Sequence, residues 1–258
     1  MKILLANDDS IDAAGIHALI HALKDDYELY VCAPILQRSG YSHSVTYFVK
    51  DNRCEIRHIA GVKKAWAVDA TPADCVYYGI YAMMEDKPDL VISGINHGEN
   101  LSDDVLYSGT IGAASEALIA GIPAMAVSLC SYESEDFSAA AEIARKLIPA
   151  YMQESHDYVL SANVPSLPYE DIKGYRICTS EKGRNYAKHV SIQTIDEDTC
   201  ILHTDNTRLH MKQKVHSGSD VDAVDRGYVA LTPIGLSMDY TDRSIDLHTL
   251  IENISHGL

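Results

Sequence analysis

Short apolar runs that stop abruptly at polar loops alternate along this chain with helical stripes, and that alternation limits the fold more than any other feature. Ile3-Leu4-Leu5-Ala6 is continuously apolar and ends at Asn7-Asp8-Asp9, as a strand buried on both faces of a parallel sheet does. Ile16, Leu19, Ile20 and Leu23 then recur at i, i+3, i+4 and i+7, the buried face of a helix. Residues 27–33 read as a second strand closed by Pro34. Thr71-Pro72-Ala73-Asp74 reads as an N-cap with proline in the first turn, opening a helix to about Met84. Residues 88–93 form another buried strand, residues 110–120 a helix ending at Gly121, and residues 122–127 the start of a further strand. Strands and helices alternating through short links predict parallel βαβ units, and so an α/β, Rossmann-like, doubly wound and mostly parallel sheet.

Two stretches break the rhythm. Residues 45–68 alternate polar and apolar around Asp51-Asn52 and Ala60-Gly61, which predicts an antiparallel excursion at one sheet edge. Residues 165–235 lose the βα alternation, and Val190 to Met211 reads as a protruding C-terminal hairpin suited to subunit contact, followed by a strand at 227–232. No repeat or linker interrupts the 258 residues, so a single domain spanning 1–258 is expected, with an active-site core at 1–164 and an extension at 165–258. A chain of this length buries one large core without disulfides or structural zinc.

The formal net charge is −16, a field that repels phosphate backbones and argues against nucleic-acid polymers as partners. A small phosphorylated substrate remains compatible if a cation or a helix N-terminus supplies positive charge. Cys32, Cys54, Cys75, Cys130, Cys178 and Cys200 show no zinc or redox spacing and read as buried thiols in a reducing compartment. The first apolar run is too short for a signal peptide and no later one would span a bilayer, so a cytoplasmic protein without membrane attachment is expected.

In an open parallel sheet, ligands bind beyond the carboxyl ends of the strands, where strand order reverses. Three polar loops follow predicted strands: Asn7-Asp8-Asp9-Ser10, the segment from Gln37 through Ser39 to Ser44, and Gly94 through Asn96 to Asn100. Adjacent carboxylates repel when buried alone, and a hard divalent cation holds both ionised. An Asp-Asp pair also suits a solvated helix start; its place after a hydrophobic strand, with two other polar loops converging, favours the metal. Tyr107-Ser108-Gly109-Thr110-Ile111-Gly112 puts hydroxyls and glycines at a helix start, which serves either as an anion cradle or as a plain cap. His17 and His21 share a helix at i, i+4 but flank its apolar stripe without the glutamate of a zinc motif, so they read as solvated side chains.

As an ordered set these loops closely resemble the SurE (survival protein E) family of 5'/3'-nucleotidases. The resemblance is carried by Asn7-Asp8-Asp9, Gly15-Ile16, Ser39-Gly40 with Ser44-Val45-Thr46, Thr71 through Val76, Ser93 through Asn100, Asp104 through Thr110, Gly121-Ile122-Pro123, Asn163-Val164-Pro165 and Gly227-Tyr228-Val229. It is dense over residues 1–130 and thinner beyond. It implies one divalent cation per subunit, held by Asp8, Asp9, Ser39 and Asn96, with magnesium or manganese favoured over calcium or cobalt. It also implies phosphate contacts from Asn7, Asn96, Ser108, Gly109 and Thr110, and a homodimer or homotetramer. The implied activity is hydrolysis of nucleoside monophosphates by metal-activated water, with Asp8 or Asp9 handling the proton and exopolyphosphatase activity as a candidate side reaction. Ser10, Ala70, Ser102 and Ala117 stand where the family usually carries glycine, so a positive φ at Ser10 would strain the loop beside the metal. Two rivals remain. A haloacid-dehalogenase-like phosphatase would keep a second acid two residues after Asp8, where Ser10 stands, and a non-catalytic nucleotide-binding stress regulator would need only the anion cradle.

Overall fold

In the computed structural model, which describes residues 1–154, 156–182, 190–204 and 215–237, the first apolar run is a central strand, β1 (Lys2–Ala6). Helix α1 (Ala14–Leu23) leads to β2 (Glu28–Pro34), and β3 (Cys54–Arg57) turns back into β4 (Lys64–Val68). Helix α2 (Pro72–Tyr78) continues as a π-helical turn, Gly79–Met83, before β5 (Leu90–His97). Then come α3 (Gly109–Ile119), β6 (Ala124–Cys130), α4 (Ser138–Tyr151) and β7 (Val159–Pro165). The remaining elements are β8 (Tyr175–Ile177), β9 (Val190–Thr194), β10 (Cys200–Thr204), α5 (Asp220–Asp225) and β11 (Val229–Ile234).

Nine strands form one sheet in the order β3-β4-β2-β1-β5-β6-β7-β11-β8. From β4 to β7 every pairing is parallel, β3 runs antiparallel to β4, and β11 runs antiparallel to β7. The fold is thus the expected α/β doubly wound, mostly parallel sheet with an antiparallel edge. Successive side chains of a strand point to opposite faces, and β1 shows why its whole run must be apolar. Ile3 and Leu5 enter the core under α1 and α4, while Leu4 and Ala6 enter the core under α2 and α3. The chain leaves β1 toward β2 on one side and later returns to β5 on the other. The reversal of strand order therefore falls between β1 and β5, whose ends meet at Ala6 and Ser93.

Local chemistry accounts for the helix starts. Thr71 accepts from the Asp74 N–H at 3.1 Å while the Asp74 carboxylate accepts from the Thr71 N–H at 3.1 Å, a reciprocal capping box with Pro72 behind it. Helix α1 lacks a side-chain cap. It sits down on β5 instead, where a Cβ added to Gly15 would fall 2.0 Å from the Ile95 carbonyl oxygen.

Several expectations change. Residues 45–53 form turns, not strand, so the edge excursion is only β3 against β4. The expected hairpin is β9 with β10, a separate two-stranded sheet ending at Thr204; its projected continuation to Met211 lies outside the described residues. β8 and β11 belong to the main sheet, so the chain beyond residue 165 contributes two strands to the core architecture rather than an appendage alone. Cys32, Cys75 and Cys178 are buried thiols, but Cys54 and Cys200 are exposed because they lie on an edge strand and on the hairpin. His17 and His21 are exposed, as expected from their flanking positions. Among the described residues no helix is long and apolar enough to cross a membrane.

Candidate active site

Asp8 and Asp9 come directly after β1, at the carboxyl end of the strand beside the switch point. Asp8 is almost wholly buried. Its Oδ1 accepts from the Thr110 hydroxyl at 2.7 Å, so the first turn of α3 faces the end of β1. Burial pushes the Asp8 carboxyl up to about 7, and the neighbouring Asp9 charge pushes the same way; bonds from the Thr110 hydroxyl and from the backbone of Asp8 and Thr110 oppose them. Asp9 is tied down at both oxygens, accepting from the His97 N–H at 2.9 Å and from the Gln37 amide at 3.2 Å. Among the described residues no Lys, Arg or His makes an ion pair with either carboxylate; the Arg38 guanidinium is paired with Asp69 at 2.7 Å.

The second loop is stitched to the first and to α3. The Arg38 N–H donates to the Asp8 carbonyl oxygen at 2.7 Å. One Gln37 amide nitrogen donates both to Asp9 and, at 3.0 Å, to the Ser39 hydroxyl oxygen. Ser39 and Asp9 thereby face a common group. Farther on, the Ser42 N–H and hydroxyl donate to the Tyr107 and Leu106 carbonyls at 3.0 and 2.7 Å, and the Thr46 N–H donates to Asp74 at 2.9 Å. The third loop brings Asn96 beside His97, whose N–H holds Asp9. The Asn96 Nδ2 is spent on the Gly98 carbonyl at 2.8 Å, which leaves its Oδ1 as the available atom.

These contacts bring Asp8, Asp9, Ser39 and Asn96 into one neighbourhood with α3. A divalent cation fits the donor set, since each of the four offers oxygen and two are carboxylates without a counter-ion among the described residues. A fifth oxygen, Asn7 Oδ1, is buried with no hydrogen-bond partner among the described residues, while its Nδ2 donates to the Ser10 carbonyl at 2.7 Å. Among the described residues no three His, Cys, Asp or Glu side chains are placed to hold a metal together, so hydroxyl and amide oxygens must complete any such shell.

At the start of α3 the Ser108 hydroxyl caps the helix by accepting from the Ile111 N–H at 3.1 Å. Thr110 directs its hydroxyl to Asp8, a link that the sequence does not foretell. Gly109 packs so close to Asp8 that an added Cβ would lie 2.9 Å from the carboxylate's Cβ and Oδ2. Ser10 has φ +100° and Ser102 φ +57°, so two of the four positions at which the resemblance leads one to expect glycine do take a positive φ. Ala70 and Ala117 do not. Sequence reasoning places Gln37 and Asn100 in polar loops and Asn163 in a family-like segment, but assigns none of them a role. Gln37 and the two asparagines act through partners distant in sequence.

A family model described as "Survival protein SurE" matches residues 3–188. A protein named 5'-nucleotidase SurE from Syntrophomonas wolfei is 41% identical, over 94% of this chain and 90% of that one. A 5'/3'-nucleotidase SurE from Cronobacter sakazakii is 40% identical, over 92% of this chain and 91% of its own. The crystal structure of a SurE protein from Aquifex aeolicus superimposes with a TM-score of 0.79 at 33% identity, covering 99% of this chain and all of that one. With the family model matching most of its length and the first two of these relatives 40% identical or more over nine tenths of it, the chain belongs to the survival protein SurE family.

Proposed function

We propose that the protein is a divalent-metal-dependent 5'-nucleotidase that hydrolyses nucleoside monophosphates to nucleoside and phosphate. One observation carries the reading: two adjacent carboxylates, without a counter-ion among the described residues, stand at the switch-point end of β1, and Asp8 faces the first turn of α3. A cation bound there, magnesium or manganese by the hardness of the oxygen donors, supplies Lewis-acid neutralisation of the phosphoryl oxygens and a more acidic water. The chain's own work is positioning. Asp8, Asp9, Ser39 and Asn96 would hold the cation, with Gln37 and the His97 N–H fixing the direction of Asp9. The capped start of α3, where Gly109 leaves room, would face the phosphate. Asp9, partly exposed and hydrogen-bonded at both oxygens, is suited to orient a water. Relatives named 5'- and 5'/3'-nucleotidases support the substrate class. Phosphate release from a panel of nucleoside monophosphates, with chelator and then with magnesium or manganese restored, tests the assignment; activity that survives chelation overturns the metal dependence. Inorganic polyphosphate in the same assay tests the side activity.

The homo-oligomer expected from the sequence has support in the hairpin. Cross-strand pairing sets Ile192 opposite Leu202, with Val190 two residues before Ile192 on the same face, and these apolar side chains are exposed, Ile192 at 68% and Leu202 at 65%. A lone two-stranded hairpin is marginal in water, so a second copy is the cover we propose. Light scattering giving the 28.4 kDa of one chain would remove that assignment.

A further inference from the structure

We infer that Asn163, Asn100 and Thr110 form a buried positioning chain that sets the orientation of Asp8, with the Thr110 hydroxyl serving Asp8 rather than the phosphate. This chain of contacts rests on the proposed metal site but requires no particular substrate. Asn163 lies on β7, three strands from β1 in the sheet. Its Oδ1 accepts from the Asn100 N–H at 2.8 Å, and its Nδ2 donates to the Asn100 carbonyl at 3.1 Å. This two-point grip fixes residue 100 as a neighbouring strand would. The Asn100 amide is thereby aimed back across the sheet, where Nδ2 donates to Ser128 Oγ on β6 at 2.9 Å and makes a longer bond to Thr110 Oγ1 at 3.4 Å.

The direction of the last link comes from proton counting. A threonine hydroxyl has one proton and accepts through its lone pairs. Asn100 presents a donor to Thr110 Oγ1, so the hydroxyl proton points the other way, to Asp8 Oδ1 at 2.7 Å. Asn163, Ser128, Asn100, Thr110 and Asp8 are all buried, so water does not compete for these bonds and each constrains the next. The Thr110 hydroxyl thus holds Asp8 and has no second proton for a phosphate oxygen.

Partners of this kind behind a metal ligand affect metal affinity by about 10–100-fold. The test is Mn²⁺ binding to the full chain, followed by electron paramagnetic resonance and calorimetry without substrate. Thr110→Val and Asn163→Leu are expected to weaken Mn²⁺ by about 10-fold or more, and Thr110→Ser, which keeps the hydroxyl, to stay within about threefold of the starting protein. Leu147→Ala, a core change on α4, serves as the control for general destabilisation and should lower the melting temperature without moving Mn²⁺ affinity. The inference is overturned if Thr110→Val binds Mn²⁺ normally and instead loses inorganic phosphate, if Leu147→Ala weakens Mn²⁺ as much, or if the unaltered protein binds no Mn²⁺. Weakened Mn²⁺ binding in a protein that hydrolyses no nucleotide would sustain the positioning chain and refute the nucleotidase reading alone.

Discussion

Gly109 and Asp8 are packed so tightly that the smallest possible side chain at residue 109 would sit 2.9 Å from the carboxylate's Oδ2. The two residues are 101 positions apart, and only the pairing of β1 with β5 and the docking of α3 brings them together. Gly109→Ala must displace either the helix start or the carboxylate. Since a misplacement of about 1 Å at a reacting centre costs about 10²-fold, a loss of that order in kcat/KM is expected with the circular dichroism spectrum unchanged. An active Gly109→Ala enzyme would mean that Asp8 tolerates movement and is not a metal ligand.

The raised Asp8 carboxyl makes the metal-free protein sensitive to pH. Folded, the group titrates at about 7, against an ordinary 3.8, so between those values the native state keeps a proton that the unfolded chain has released. Stability from this group is complete below pH 3.8 and is lost as pH rises through about 7, at up to about 1.4 kcal/mol per unit. In chelator, urea unfolding should show lower stability at pH 8 than at pH 5.5. Asp8→Asn should remove most of that slope and be the more stable protein at pH 8 while hydrolysing nothing. An unchanged slope in Asp8→Asn would place the titration elsewhere.

Ser10 occupies φ +100°, outside the small left-handed region that L-residues enter, and strain of this kind costs about 1–3 kcal/mol. The Asn7 amide holding the Ser10 carbonyl helps impose it. Ser10→Gly should therefore raise stability by about 1 kcal/mol after the entropy cost of glycine, read as a higher urea midpoint at constant slope. Ser102, at φ +57°, lies in the allowed left-handed well, and its hydroxyl bonds the Glu181 carbonyl at 3.0 Å. Ser102→Gly should be close to neutral, and a larger gain there than at Ser10 would refute the strain assignment.

The first half of the fold is legible in the sequence because local signals and burial agree there. β1 is apolar at every position because both faces are covered, and α2 carries its capping box in four consecutive residues. α4 and β7 are harder to read. Helix α4 has no side-chain cap at its start and contains Pro149, so its boundaries carry little local signal. β7 carries Ser161 and Asn163, which are buried in the polar network and interrupt the apolar run. The same division holds at the site. Asp8 and Asp9 are marked by their place after a strand, whereas Gln37, Asn100 and Asn163 acquire their roles only through long-range pairing.

The arrangement of hydroxyls bears on how phosphorus is attacked, and direct displacement by water is expected, without a phosphoenzyme. Thr110 spends its proton on Asp8, Ser108 caps Ile111, and Ser39 accepts from Gln37. Among the described residues neither Ser39 nor Ser108 bonds to a carboxylate or imidazole that would activate it as a nucleophile. Asp9 is held at both oxygens, and a covalent mechanism through Asp8 would want an acid at the position Ser10 fills. One in-line displacement inverts phosphorus and two restore it, so a nucleotide made chiral at phosphorus with oxygen isotopes should give inverted phosphate. Net retention, or phosphorylated Asp8 trapped by rapid quench, would replace the direct-water route with a covalent one.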